Sequence, residues 1–420
     1  MSAFRFAAHL VAGLVAVNAA HADGEGLDVG PFKLYPQLGI DFNHESNYFR
    51  TGTDYAVLAN GTLVPLDPGI LSTWINVLKP GIRLSALKGP DAYNLLYEAH
   101  IGTVFESSTD NYVDQRFNAN ANWELGLRHR LRAEYEFLRW HDRRGTGDPS
   151  QSSRLNFGQH PDLWRSNRGD LFYSFGAPGA KGRLDLKGAY LARRYLNNNQ
   201  ESRDNNRTIL DSTVFARVLP KTSLLFELRW EDIDYIRQGG EYLDSQEWRA
   251  FSGVTWDATE KTTGSVKVGW LWKDFQESYL DDVSDFDWEI DLRWMPRTYS
   301  TFDLVTKRTP VETATVDSDT VIVSSVALNW VHYWKERLST KVSGLATDDV
   351  YNGSPRVDHR YRLGAGVFYK PRRWADVGVE YRYETRTSNI TTQDDPQVLN
   401  PRDIVEYTDN VFMFTLQARL

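Results

Sequence analysis

Two neighbouring pairs, His141-Asp142 and Asp358-His359, are where acid–base chemistry would first be sought. A hydrolase sets a histidine between a nucleophile and an orienting carboxylate. Adjacent residues of an extended chain point to opposite faces, so neither pair is placed to act as a couple. The remaining candidates, among them His44, His100, His129, His160 and His332, are scattered. The chain holds no G-x-x-x-x-G-K-[ST] loop, no H-E-x-x-H and no G-x-S-x-G. Asp281-Asp282 and Asp348-Asp349 could touch a divalent cation, but acid pairs in polar loops read first as solvated charge. With no cysteine there is no thiol nucleophile, disulfide framework or thiolate metal site. A net charge of -8 argues against a nucleic-acid partner. The expectation is a protein that is no enzyme and needs no metal or cofactor.

The chemistry left is that of a lined surface. Between Ser284 and Trp294 every second residue is large and apolar: Phe286, Trp288, Ile290, Leu292 and Trp294. Asp285, Asp287, Glu289, Asp291 and Arg293 lie between them. This is a strand with one oily and one wet face. The pattern recurs along the chain, from Leu34/Leu38/Ile40/Phe42 through Tyr93/Leu95/Tyr97 and Leu224/Phe226/Leu228 to Phe412/Phe414/Leu416. A barrel closed in lipid, apolar outside and polar inside, explains the recurrence. The fold expected is all-β: a transmembrane antiparallel up-and-down barrel of about 18 strands, with 16 also compatible. A propeller fits less well, because each repeat period holds a hairpin rather than four strands.

Short and long connections alternate. Turns such as Lys88 to Asp91, Pro220 to Thr222, His332 to Glu336 and Pro371 to Arg373 face long polar stretches near Gly52, Asp110, Gly147, Gly239, Thr315 and Thr392. Outer-membrane barrels put short turns in the periplasm and long loops outside. The short turns are basic, with Arg128, Lys181, Lys221, Lys370, Arg372 and Arg373, and acids outnumber bases in the long loops. Residues 1–22 read as a secretory signal: Arg5, the apolar run Phe6 to Ala20, then Ala20-His21-Ala22 as a cleavage site. Residues 23–420 form the expected barrel.

The alternation assigns sides. Arg83, Arg116, Glu124, Arg132, Glu134, Arg229, Asp285, Asp287, Glu289, Asp291, Arg293, Arg360, Arg362, Glu380 and Arg382 are expected to line the lumen. Their signs nearly balance, which predicts a wall laced with cross-strand ion pairs. Trp230, Trp256, Trp272, Trp294 and Trp330 fall on the apolar faces and are expected at the membrane interfaces. Phe251 and Phe368 are inward aromatics that could stack on the rings of a solute.

The opening Gly39-Ile40-Asp41-Phe42-Asn43-His44-Glu45-Ser46-Asn47, the turns Leu219-Pro220-Lys221-Thr222 and Lys370-Pro371-Arg372-Arg373, and the strand Tyr381-Arg382-Tyr383-Glu384 resemble a known family. It is that of β-barrel porins tied to exopolysaccharide and capsule gene clusters. The final strand, ending at Leu420, resembles the signal read by outer-membrane assembly machinery. The resemblance implies an outer-membrane exit channel for a secreted polysaccharide, working with a periplasmic export partner and without catalytic residues. A general diffusion or uptake porin is the alternative, and an outer-membrane rim hydrolase a more distant one.

Overall fold

The computed structural model describes residues 26–145, 160–177, 179–236, 243–259, 261–312 and 320–419. The signal segment, Leu420 and the loop positions near Gly147, Gly239 and Thr315 lie outside the described residues. Alternation of wet and oily residues builds long strands. They are β1 (Phe32–Glu45), β2 (Thr73–Lys88), β3 (Asp91–Val104), β4 (Tyr112–Glu124), β5 (His129–Asp142) and β6 (Asp162–Phe175). Next come β7 (Gly182–Tyr195), β8 (Asn205–Leu219), β9 (Thr222–Tyr235), β10 (Ser245–Thr259), β11 (Thr262–Phe275) and β12 (Val283–Arg297). The last are β13 (Ser300–Glu312), β14 (Thr320–Lys335), β15 (Leu338–Tyr351), β16 (Val357–Arg372), β17 (Ala375–Ser388) and β18 (Tyr407–Arg419).

Each strand pairs antiparallel with the one before it, and β1 pairs with β18 from Gln37↔Arg419 to Glu45↔Val411. The result is a closed barrel of 18 strands. Closure pairs the first strand with the last, as a sheet must to stand in lipid. The outer face is apolar and exposed, as at Leu171, Val214, Phe226, Leu363 and Val379. Tryptophans cluster there at two levels. Trp230, Trp248 and Trp272 face one another across β9 to β11, and Trp294, Phe302 and Trp330 across β12 to β14. Ser284 pairs with Trp272, and Trp294 lies ten residues further along β12. At ~3.3 Å per residue and a tilt of roughly 40°, that is about 25 Å of height, the depth of an outer-membrane apolar band.

The turns are tighter than the sequence suggests. β14 runs through His332 to Lys335, and β16 through Pro371 to Arg372. The ladder continues to Lys335↔Leu338 and Arg372↔Ala375, satisfying more backbone groups than an earlier turn would. Gly89 takes the positive φ of 61° that the two-residue turn after β2 requires.

Two features depart from a plain cylinder. The first long loop carries a small hairpin, Tyr55–Val57 with Leu63–Pro65, and packs through Ala56 on Val398 and Ile404 of the last loop. The other is a broken ladder. β12 and β13 pair from Glu289↔Lys307 to Trp294↔Phe302 and again at Arg297↔Ser300, leaving Val283–Trp288 and Arg308–Glu312 unpaired on that side. Yet β13 stays zipped to β14 as far as Glu312↔Thr320.

Candidate functional site

Side chains on the concave face converge, and several reach past intervening strands. Arg229 on β9 meets Glu289 on β12 at 2.9 Å, Glu227 at 2.5 Å and Asp211 on β8 at 3.4 Å. Lys267 on β11 binds Glu227 at 3.0 Å and also Glu289. Arg249 on β10 binds Glu247 at 2.6 Å and lies 3.6 Å from Asp287. Few of these links join directly opposed residues. They run two along a strand or skip strands, because curvature brings non-neighbours together inside a barrel.

Phe251 lies beneath this network, 0% exposed, with Lys267 5.1 Å and Arg229 5.7 Å from its ring centre. It is therefore not available to stack on a ligand, contrary to the sequence expectation. Burial of the ring under the paired charges is the reason.

The other expected positions spread around the ring. Arg116 binds Glu136 at 2.8 Å, and Arg132 binds Glu134 at 2.5 Å. Arg293 binds Asp303 at 2.6 Å, with Asp291 beside that pair. Asp285 binds Arg308, and Arg362 binds Glu384. Arg360 meets Asp349 at 2.7 Å. Glu124 is exposed at the turn end, Glu380 is half-buried, and Arg382 stands among Glu45, Glu380 and Arg50. Of the tryptophans, Trp272 and Trp294 are exposed, and Trp230, Trp256 and Trp330 half-buried.

The two aspartate–histidine neighbours are not couples. His141 bonds Asp114 at 2.9 Å, while Asp142 accepts from Trp164. His359 bonds Asp348 at 2.6 Å, while Asp358 receives Arg356 at 2.7 Å and also Arg386. Asp348 and Asp349 likewise hold different partners, His359 and Arg360.

Two further features stand nearer the turn end. An amide strip crosses β2 to β5: Ser85 to Asn94 at 2.7 Å, Asn94 to Asn120 at 3.2 Å, Asn120 to Asn118 at 3.2 Å, and Asn118 to Glu134 at 2.8 Å. The run N-A-N-A-N at Asn118, Asn120 and Asn122 is its signature in the sequence. Three half-buried aromatics also carry a cation over the ring: Arg83 on Tyr35 at 4.8 Å, Arg183 on Phe215 at 3.8 Å and Lys341 on Phe368 at 4.3 Å. Phe368 lies across Gly378, its cross-strand partner, where a Cβ would collide with the ring.

The loop end is crowded. Tyr48 and Phe49 of the first loop cover Ile75, Val77 and Val104. Arg50 reaches Glu384 at 2.8 Å. Arg143, just beyond β5, stacks on Tyr48 at 4.0 Å and binds Glu45 at 2.6 Å. Burial disfavours the Arg143 cation, but Glu45, Tyr48 and Tyr112 together outweigh it and hold the guanidinium above its ordinary value. Burial pushes the Tyr48 phenol up to about 12.

With this geometry established, the family assignment follows from the sequence. Residues 189–398, half of the chain, match the family described as "Putative beta-barrel porin 2". The chain belongs to this porin family. It is an outer-membrane β-barrel. No curated protein matches it. Among solved structures, the porin is similar to Pseudomonas aeruginosa OccK3 (OpdO), with 13% identity, TM-score 0.47, and 92% of this chain and 95% of that chain covered. It is similar to Pseudomonas aeruginosa OccK2 (OpdF), with 9% identity, TM-score 0.49 and coverages of 92% and 98%. A bacterial polysaccharide outer membrane secretin gives 10% identity, TM-score 0.36 and coverages of 94% and 100%.

Proposed function

We propose that this porin is the outer-membrane exit for a secreted polysaccharide of the exopolysaccharide or capsule kind, received from a periplasmic export partner. The observation that carries the reading is the set of inward aromatics with cations near the turn end: Tyr35 with Arg83, Phe215 with Arg183, and Phe368 with Lys341. A pyranose ring offers C–H groups to an aromatic face and hydroxyls to a neighbouring donor. The amide strip supports the same reading, because its donors and acceptors can exchange with successive hydroxyls. In this reading the inward charges from Arg83 to Arg382 line the path, and their mutual pairing keeps a sliding chain from being gripped by one sign. The tryptophans from Trp230 to Trp330 hold the barrel at the two membrane interfaces. Residues 1–22 direct the chain to the periplasm, and 23–420 form the barrel.

The test combines cells and bilayers. Deleting the gene should abolish surface polysaccharide while leaving uptake of small solutes intact. The purified barrel should show current blockades when the polymer is added on the turn side. Normal surface polymer in the deletion strain, or no blockade by any polymer from the same cells, would reject the reading.

A further inference from the structure

The broken ladder between β12 and β13 has a structural consequence inside the barrel. In a regular wall, Arg308 and Glu312 would share the lipid side of β13 with Phe302 and Leu304, two residues apart in turn. Glu312 instead receives Lys273 at 2.6 Å and the Tyr235 hydroxyl at 3.0 Å. Lys273 is fully buried and shares the inward parity of Lys267, while Tyr235 shares that of Arg229. On β14, Ile322 has the parity of the lipid-facing Val326 and Leu328, yet packs in one cluster with Leu271 and Val283 of the inner face. Arg308 crosses the unpaired edge of β12, bonding Asp285 on its inner side. β14 stays laddered to β15 as far as Val321↔Tyr351, and on that face Val321 and Val323 pack with Tyr351, whose hydroxyl reaches Asp358 of β16 at 2.9 Å.

We infer that the outer ends of β13 and β14 form a hairpin folded into the lumen as a fixed constriction, its lipid-side face stacked on the inner wall of β9 to β12. The hairpin runs from the β15 wall, where Val321 still pairs with Tyr351, inward to Lys273 on β11 and Tyr235 on β9, so it narrows the outer half of the barrel. The sequence keeps it there. Zipping β13 back onto β12 in its lower register would turn Arg308 and Glu312 to lipid, and would set Pro310, which lacks a ladder donor, in the new pairing. It is therefore a built-in narrowing rather than a swinging lid. The inference deepens the channel reading by naming what limits flow, and it requires only that the barrel conduct, whichever solute it carries.

The absence of native cysteine makes crosslinking clean. Cysteines introduced as Leu271→Cys with Ile322→Cys should join by a disulfide or a short bis-thiol reagent in assembled barrels, and single-channel conductance should be the same before and after reduction. Replacing residues 309–323 with an Asn-Gly turn should raise conductance several-fold. No crosslink in folded barrels, or conductance that changes on reduction, would overturn the fixed inward placement even if the shortened variant fails to assemble. An assembled shortened barrel with unchanged conductance would overturn the constriction. Neither result bears on whether the solute is a polysaccharide, which the polymer-blockade assay decides separately.

Discussion

Glu312 and Lys273 form a 2.6 Å ion pair between two strands that are not neighbours in the sheet, with the lysine fully enclosed. Two charges removed from water are stable only while each satisfies the other, and Tyr235 completes the carboxylate. Lys273→Ala should therefore destabilise the folded barrel by about 3–5 kcal/mol, the cost of an orphaned buried charge. The double variant Lys273→Met/Glu312→Leu should lose less than either single truncation. Urea titration of the heat-modifiable gel shift measures both. A double variant as damaged as the sum of the singles would show that the pair does not act as a unit.

This pair also marks the boundary of what the sequence discloses. Strand order, side assignment and the alternation of short and long connections follow from period-2 patterning, which lipid outside and water inside impose on every strand. β13 carried a warning in plain view: its apolar face stops at Leu304, and Thr306, Arg308, Pro310 and Glu312 follow. Leu271 and Val283, apolar at inward positions, carried the matching one. Each looks like ordinary noise until the ladder shows the hairpin lying against them. The ion-pair partners were less accessible still. Whether Arg229 meets Glu227, Glu289 or both depends on barrel curvature, which no local spacing encodes.

Leu292 and Asp291 offer a test of facing on one strand. Leu292 pairs with Gly264 and Leu304 on the apolar side, and Asp291 lies by the Arg293–Asp303 pair. Leu292→Arg should impair assembly, since a cation near the lipid midplane costs roughly 2–4 kcal/mol. Asp291→Asn should be mild. Folded yield in lipid vesicles distinguishes them, and greater damage from Asp291→Asn would reverse the assigned register.

Phe251 and Phe368 should separate structure from transport. Phe251 is enclosed beneath Arg229 and Lys267, so Phe251→Ala opens a cavity and should cost about 3–5 kcal/mol of stability. Phe368 is half-buried over Gly378. Phe368→Ala should leave more of the stability intact and shorten polymer blockades in planar bilayers. Unchanged blockade lifetimes for Phe368→Ala, alongside Tyr35→Ala and Phe215→Ala, would remove the aromatic platforms from the conduction path.

The turn end carries Lys370, Arg372 and Arg373, with Arg372 and Arg373 exposed and Lys370 3.8 Å from Asp376. A cationic entrance raises the local concentration of an anionic polymer and leaves a neutral one indifferent. The porin should therefore favour an acidic or acid-substituted polysaccharide at its periplasmic mouth. Exposed charges are screened beyond about 8–10 Å at physiological ionic strength, so the effect acts on capture at the mouth rather than along the pore. Lys370→Gln, Arg372→Gln and Arg373→Gln combined should lower the blockade on-rate for an acidic polymer added on the turn side and leave its residence time unchanged. Added salt should lower the wild-type on-rate towards that of the variant. Equal on-rates for wild type and variant at low salt, with a polymer known to be acidic, would sink the charge-capture account.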